Sequence, residues 1–182
     1  MNVARRHHRA AKAEPVVTPR GRAEHLTRPA AREIAFGSSS AIVTSLGLIV
    51  GFGAAAVSRA ALVSGLLIIG LADNISDSLS IHIYQESENR EVFAATKATL
   101  TNFLARLIIA ITFVGLVLLS PPSIVVAISV AWGVLLLGAL TYGVARIRRV
   151  NPWPEMIKHL IVALIVIGVS RELGGWIASH VG

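Results

Sequence analysis

Two carboxylic acids, an amide and three hydroxyls lie inside one apolar run, Leu71-Ala72-Asp73-Asn74-Ile75-Ser76-Asp77-Ser78-Leu79-Ser80. A charged side chain at the centre of a membrane helix costs about 2.5–3.5 kcal/mol on insertion scales, so such residues face a partner, a cavity or an ion. Residues three and four apart share a helix face. Asp73, Asp77 and Ser80 therefore line one stripe, flanked by Asn74 and Ser76. Oxygen ligands of this kind suit hard or borderline divalent cations such as Mn²⁺, Mg²⁺ and Fe²⁺, and two carboxylates offset a 2+ charge. They also carry protons: a carboxyl group in a poorly solvated site holds its proton more tightly, which couples metal entry to proton release. The competing account is that these polar groups only bind neighbouring helices, and for Asn74, Ser76 and Ser78 that is sufficient.

The elements that must position them are membrane helices. The chain has 182 residues, 54% of them hydrophobic and only 15% charged, and its apolar runs are too long for a soluble core. The formal charge of +7 sits mostly in a tail, because Arg5, Arg6, Arg9, Lys12, Arg20, Arg22, Arg28 and Arg32 all precede the first apolar run. Such a tail meets anionic lipid headgroups or stays solvated, and no nucleic-acid partner is expected. Residues 1–30, with Pro15, Pro19 and Pro29 and no apolar periodicity, read as a disordered basic cytoplasmic tail. Residues 31–182 form the transmembrane domain. The absence of cysteine excludes disulfides and thiolate metal ligands.

Measured against the ~20 residues needed to cross hydrocarbon, five segments qualify, at about 39–57, 61–83, 103–119, 124–143 and 157–177. Pro121-Pro122 and Pro152-Trp153-Pro154 separate the later ones. The expected fold is an all-α membrane protein of five transmembrane helices. With the N-terminus cytoplasmic, the inner side receives the tail, Arg90, Lys97, Arg146, Arg148, Arg149 and Lys158, and the outer loops hold only Arg59. A multi-pass protein of a prokaryotic inner membrane follows. Arg106 is then near enough to the inner interface to snorkel, and Arg171-Glu172 reads as a local ion pair or interfacial anchor.

The first segment offers an opposing wall. Ser38-Ser39-Ser40 opens it and Thr44 and Ser45 continue its polar content, so Ser40 and Thr44 are candidates for an ion path, although the serines equally suit a helix cap. Gly47 and Gly51 form a small-xxx-small pair that allows close helix packing, and a homodimer contact is one use for it. At the cytoplasmic mouth, Glu86, Glu88, Glu91 and His82 are candidates for cation entry, or else belong to a solvated helix extension.

Arg32-Glu33-Ile34-Ala35-Phe36-Gly37, then Ile42-Val43-Thr44-Ser45-Leu46-Gly47-Leu48-Ile49-Val50-Gly51, resembles the opening of vacuolar iron transporter family proteins. Ala72-Asp73-Asn74-Ile75-Ser76 and Tyr84-Gln85-Glu86-Ser87-Glu88 are similar to the family's second helix and the acidic stretch that leaves it. The resemblance implies a homodimeric five-helix carrier that exchanges Fe²⁺ or Mn²⁺ for protons along a path between subunits, with no permanently bound cofactor. The chain departs from the family pattern in three places. Where the family has Asn-Asp-Gly after Phe-Gly, this chain has Ser39, Ser40 and Ala41, so the first-helix acid is missing. Where the family tends to have methionine after the serine matching Ser76, it has Asp77. The large acidic cytoplasmic domain of some members is also absent. The expected function is proton-coupled export of a divalent metal; the alternative is a non-transporting scaffold or a degenerate family member. No enzyme is expected, because both acids lie on one helix and the wider motif sets of headgroup transferases or aspartyl proteases are not present.

Overall fold

The computed structural model describes the backbone of residues 19–87 and 92–181, and side chains from residue 35 onward except 36, 85 and 92–95. Five α-helices follow in order: α1 Pro19–Ala54, α2 Arg59–Ser87, α3 Val92–Leu119, α4 Val125–Ile147 and α5 Pro152–His180. All five are long and apolar enough to cross a membrane, and no strand occurs among the described residues.

The helix boundaries have local causes. Asn151 caps α5 by accepting from the Trp153 N–H at 3.2 Å, and Pro152 takes the first turn, where no intrahelical donor is required. Pro121-Pro122 follows the end of α3, and the Pro121 carbonyl accepts from Ile124 and Val125 at 3.1 Å to start α4. α1 and α4 end in left-handed residues, Ala56 (φ 53°) and Arg149 (φ 55°). Beside them the amides of Val57 and Val150 reach back to the carbonyls of Phe52 and Ala145, a tight reversal that satisfies otherwise orphaned carbonyls. Arg59 ties the start of α2 to the end of α3 by donating to the carbonyls of Leu118 (3.3 Å) and Ser120 (2.8 Å).

The helices run longer than the apolar segments expected, and the start of α1 differs most. α1 begins at Pro19, so its helix takes in residues 19–30, where the sequence reads as a disordered tail. Arg20, Arg22, Ala23, Glu24, Ala30 and Ala31 are good helix formers, and proline at the first position is compatible with a helix start. Ser38, Ser39 and Ser40 consequently lie within α1 and do not cap it.

α1 is the hub. It touches every other helix, and its Ile42, Leu46 and Ile49 are almost fully buried against Leu62 and Leu66 of α2, Phe113 and Val117 of α3, Leu137 of α4 and Ala163 of α5. Its small residues set the spacing. A methyl group added at Gly174 of α5 would stand 2.1 Å from the Gly51 carbonyl oxygen, and one at Gly47 would meet Ser170 and Val166 at 3.1 Å. The Gly47/Gly51 pair thus packs against α5 of the same chain and forms an internal seam.

This seam makes a paired prediction. Gly174→Ala should destabilise the protein by about 1–3 kcal/mol, the usual cost of overpacking. Gly175→Ala, whose added methyl meets nothing within 4 Å, should be neutral or stabilising by up to about 1 kcal/mol through helix propensity. Thermal unfolding of the two variants in detergent checks the contrast.

Candidate ion site between α1, α2 and α3

The anomalous acids of α2 find their partner on α3. Arg106 is 2% exposed, its Nη2 pairs with Asp73 and its Nη1 with Asp77. The same Nη1 lies 3.4 Å from the Gly37 carbonyl of α1, so one guanidinium joins three helices. The four-residue spacing of the aspartates presents both carboxylates to a single cation, and the planar fork of arginine can answer two acceptors at once. Arg106 therefore does not snorkel to an interface as expected. α3 begins at Val92 and its apolar span at Thr96, which carries Arg106 well into the helix.

A layer of neutral polar groups lies beside this triad. Asn74, 1% exposed, donates through Nδ2 to the Phe103 carbonyl at 2.9 Å, while its Oδ1 finds no partner. Ser78 Oγ, both amide atoms of Asn102 and Nε of Arg106 are likewise buried without a hydrogen-bond partner. Asn102 is pressed against α1 at Gly37, where an added methyl would come within 1.8 Å of its Oδ1. Each unsatisfied group of this sort costs about 1–3 kcal/mol when buried, so the layer is expensive as a structural device alone.

Asp73 opens onto a groove. Asp73 and Arg106 line a small cavity with Thr44 and Ser45 of α1, Leu66 and Gly70 of α2 and Ala110 of α3. Its volume is about 10 Å³, at the lower limit of the ~10–15 Å³ that one water requires. The side chains of Asp73 and Asp77 remain 35% and 29% exposed, although α2 is long and apolar enough to be a membrane span. With two carboxylates and one guanidinium, the cluster carries a formal charge of −1.

The other expected residues are dispersed. Thr44 lines the cavity, and Ser40 is half-buried on the same helix. Ser76 and Ser80 are exposed, and the Ser80 hydroxyl donates to the Ser76 carbonyl at 3.0 Å; both stand outside the stripe because α2 presents its Asn74/Ser78 side to α3 and turns these serines outward. His82 pairs with Glu86 one turn on at 3.3 Å, both near the end of α2, while Glu88 and Glu91 lie outside the described residues. Arg171 and Glu172 are exposed on α5. Among the described residues no group of three or more His, Asp or Glu side chains is placed to hold a metal. The residues that reading along the chain missed are Arg106 and Asn102. Both had a signal: like Asp73 and Asp77 they are polar, four apart and set in an apolar helix.

No family model matches this chain, nor does any curated protein or solved structure. The likeness of its first two helices to vacuolar iron transporters accordingly remains a resemblance of motifs.

The triad makes a second prediction. Arg106→Leu leaves two uncompensated acids and should cost about 3–5 kcal/mol of stability, whereas the triple variant Asp73→Asn, Asp77→Asn, Arg106→Leu should recover most of that loss. Unfolding measured for both in one detergent decides it; a triple variant no more stable than Arg106→Leu would mean that the acids and the arginine are not coupled.

Proposed function

We propose that the chain is a membrane carrier for a divalent cation, Fe²⁺ or Mn²⁺, exchanged for protons, with Asp73 and Asp77 supplying the ligand oxygens. The observation that carries this reading is the partial exposure of both carboxylates in a mid-helix position where lipid would be a prohibitive neighbour. Carboxylates there need water, an ion or a second protein surface. The groove between α1, α2 and α3 beside Asp73 suits this role, and a homodimer pairing two such grooves would bring two Asp73 carboxylates together, each with Asp77 one turn along, and leave the internal Gly47/Gly51 seam untouched.

Arg106 then acts as the resident counter-cation. Its single positive charge leaves the cluster at −1, which favours a proton or an incoming cation. A 2+ ion can take both carboxylates only if the guanidinium withdraws, because the cavity beside Asp73 has room for no more than a water. The unpartnered oxygens of Asn74, Ser78 and Asn102 are close at hand on α2 and α3 to hydrate an ion or a proton in transit. Replacement of the family's methionine by Asp77 exchanges a soft ligand for a hard one, which favours Mn²⁺ over Fe²⁺. With the N-terminus in the cytoplasm, transport runs outward from a prokaryotic inner membrane.

One observation favours a second reading. Arg106 already engages both acids, so the triad also serves as a staple between α2 and α3 in a protein that transports nothing.

Proteoliposomes loaded with a metal-sensitive dye separate the two. A carrier should show Mn²⁺ or Fe²⁺ uptake that responds to an imposed proton gradient, and Asp73→Asn and Asp77→Asn should each slow it by about tenfold or more, the effect of about 1.4 kcal/mol, while assembly persists. A staple predicts no uptake by the parent protein, and variants that lose stability with no metal-dependent signal.

A further inference from the structure

A second polar site lies away from the triad, in the cleft that α1, α4 and α5 form where α4 ends and α5 begins. The cleft holds about 300 Å³, at the lower end of the ~300–1,000 Å³ range of small-ligand sites. Leu140, Val144 and Ala145 make its apolar wall, and Thr141, Arg148, Glu155 and His159 bring polar groups to it. The charges there are not mutually cancelled. Glu155 is met by Lys158 at 3.2 Å, which offsets its carboxylate, and Arg146 is drawn to the surface over the Tyr142 ring at 5.9 Å. Arg148 is left as the cation of the cleft. The His159 Nδ1 lies 2.8 Å from the Glu155 carbonyl, which can only accept, so Nδ1 carries the hydrogen and Nε2 is the ring atom left to meet a ligand.

We propose that this cleft binds the phosphate headgroup of an anionic phospholipid, with Arg148 on the phosphate, the His159 Nε2 facing the headgroup and the Leu140/Val144 wall against the glycerol and upper acyl carbons. A membrane source, and not a free phosphate, follows from the surroundings. Ile147, Val150 and Trp153 are exposed beside the cleft, at the end of the bundle where two spans terminate, and an amphipathic ring at such a level marks the lipid–water boundary. Guanidinium matches phosphate oxygens in a planar fork, and anionic headgroups attract basic residues at that surface. The inference is independent of what the triad does.

Native mass spectrometry of the full chain in detergent tests it, with phosphatidylglycerol, phosphatidylcholine and inorganic phosphate as probes. Phosphatidylglycerol should be retained as a single adduct in preference to phosphatidylcholine. Arg148→Gln with His159→Gln should weaken that adduct by about tenfold, the scale of one lost charge-assisted contact, whereas Arg171→Gln on the far part of α5 should leave it unchanged. If the double variant does not fold, Val144→Phe, which fills the cleft and keeps both Arg148 and His159, should abolish the adduct. Equal retention of the two lipids, undiminished binding by a folded double variant or by Val144→Phe, or displacement of phosphatidylglycerol by inorganic phosphate at comparable concentration would each overturn the proposal.

Discussion

One buried guanidinium held by two carboxylates from a neighbouring helix governs how this bundle is put together. Arg106 could not lie 2% exposed in an apolar helix without countercharge, and neither aspartate could remain at its depth without a cation. The three charges therefore impose a rotation on α2 and α3 that hydrophobic burial alone would leave free, since both helices are apolar on most sides. Once that rotation is set, Asn74 and Ser78 must face α3, Asn102 must face α1, and Leu67, Ile68, Leu71 and Ile75 must face outward, where lipid receives them. The polar layer and the lipid-facing surface are two results of the same pairing.

α1 supplies the other constraint. Without a hydrophobic force between helices inside a bilayer, association depends on close packing and hydrogen bonds. Gly51 and Gly174 bring two backbones into contact, and Gly133 of α4 admits Leu46 in the same way, since a methyl there would come within 2.6 Å of its side chain. Gly37 makes room for the Asn102 amide against α1. Small residues on three helices thus let one central helix contact four neighbours.

Much of this was legible along the chain because membrane spans announce themselves by length, and acids inside them by cost. Five helices, the proline breaks and the shared face of Asp73 and Asp77 all follow from local pattern. What lay beyond reach was pairing between distant positions. Arg106 reads as an interfacial residue if α3 starts near Phe103; the helix begins at Val92, and that boundary alone turns a snorkelling cation into a buried one. The Gly47/Gly51 motif signals a close approach without saying to what, and the answer, α5, lies more than a hundred residues away. Ser76 and Ser80 match the stripe by spacing, but their side of α2 is decided by which face the Arg106 pairing turns inward.

The backbone contact between Gly51 and Gly174 has a mechanical side. Dispersion forces between atoms in contact fade within an ångström of separation, so this seam cannot loosen by degrees; it is either closed or lost. α2 is packed on α3 and is held to it in addition by charges, whose attraction decays gradually with distance. The two seams therefore answer a small displacement differently: the glycine contact fails abruptly, whereas the charge pairing weakens by degrees.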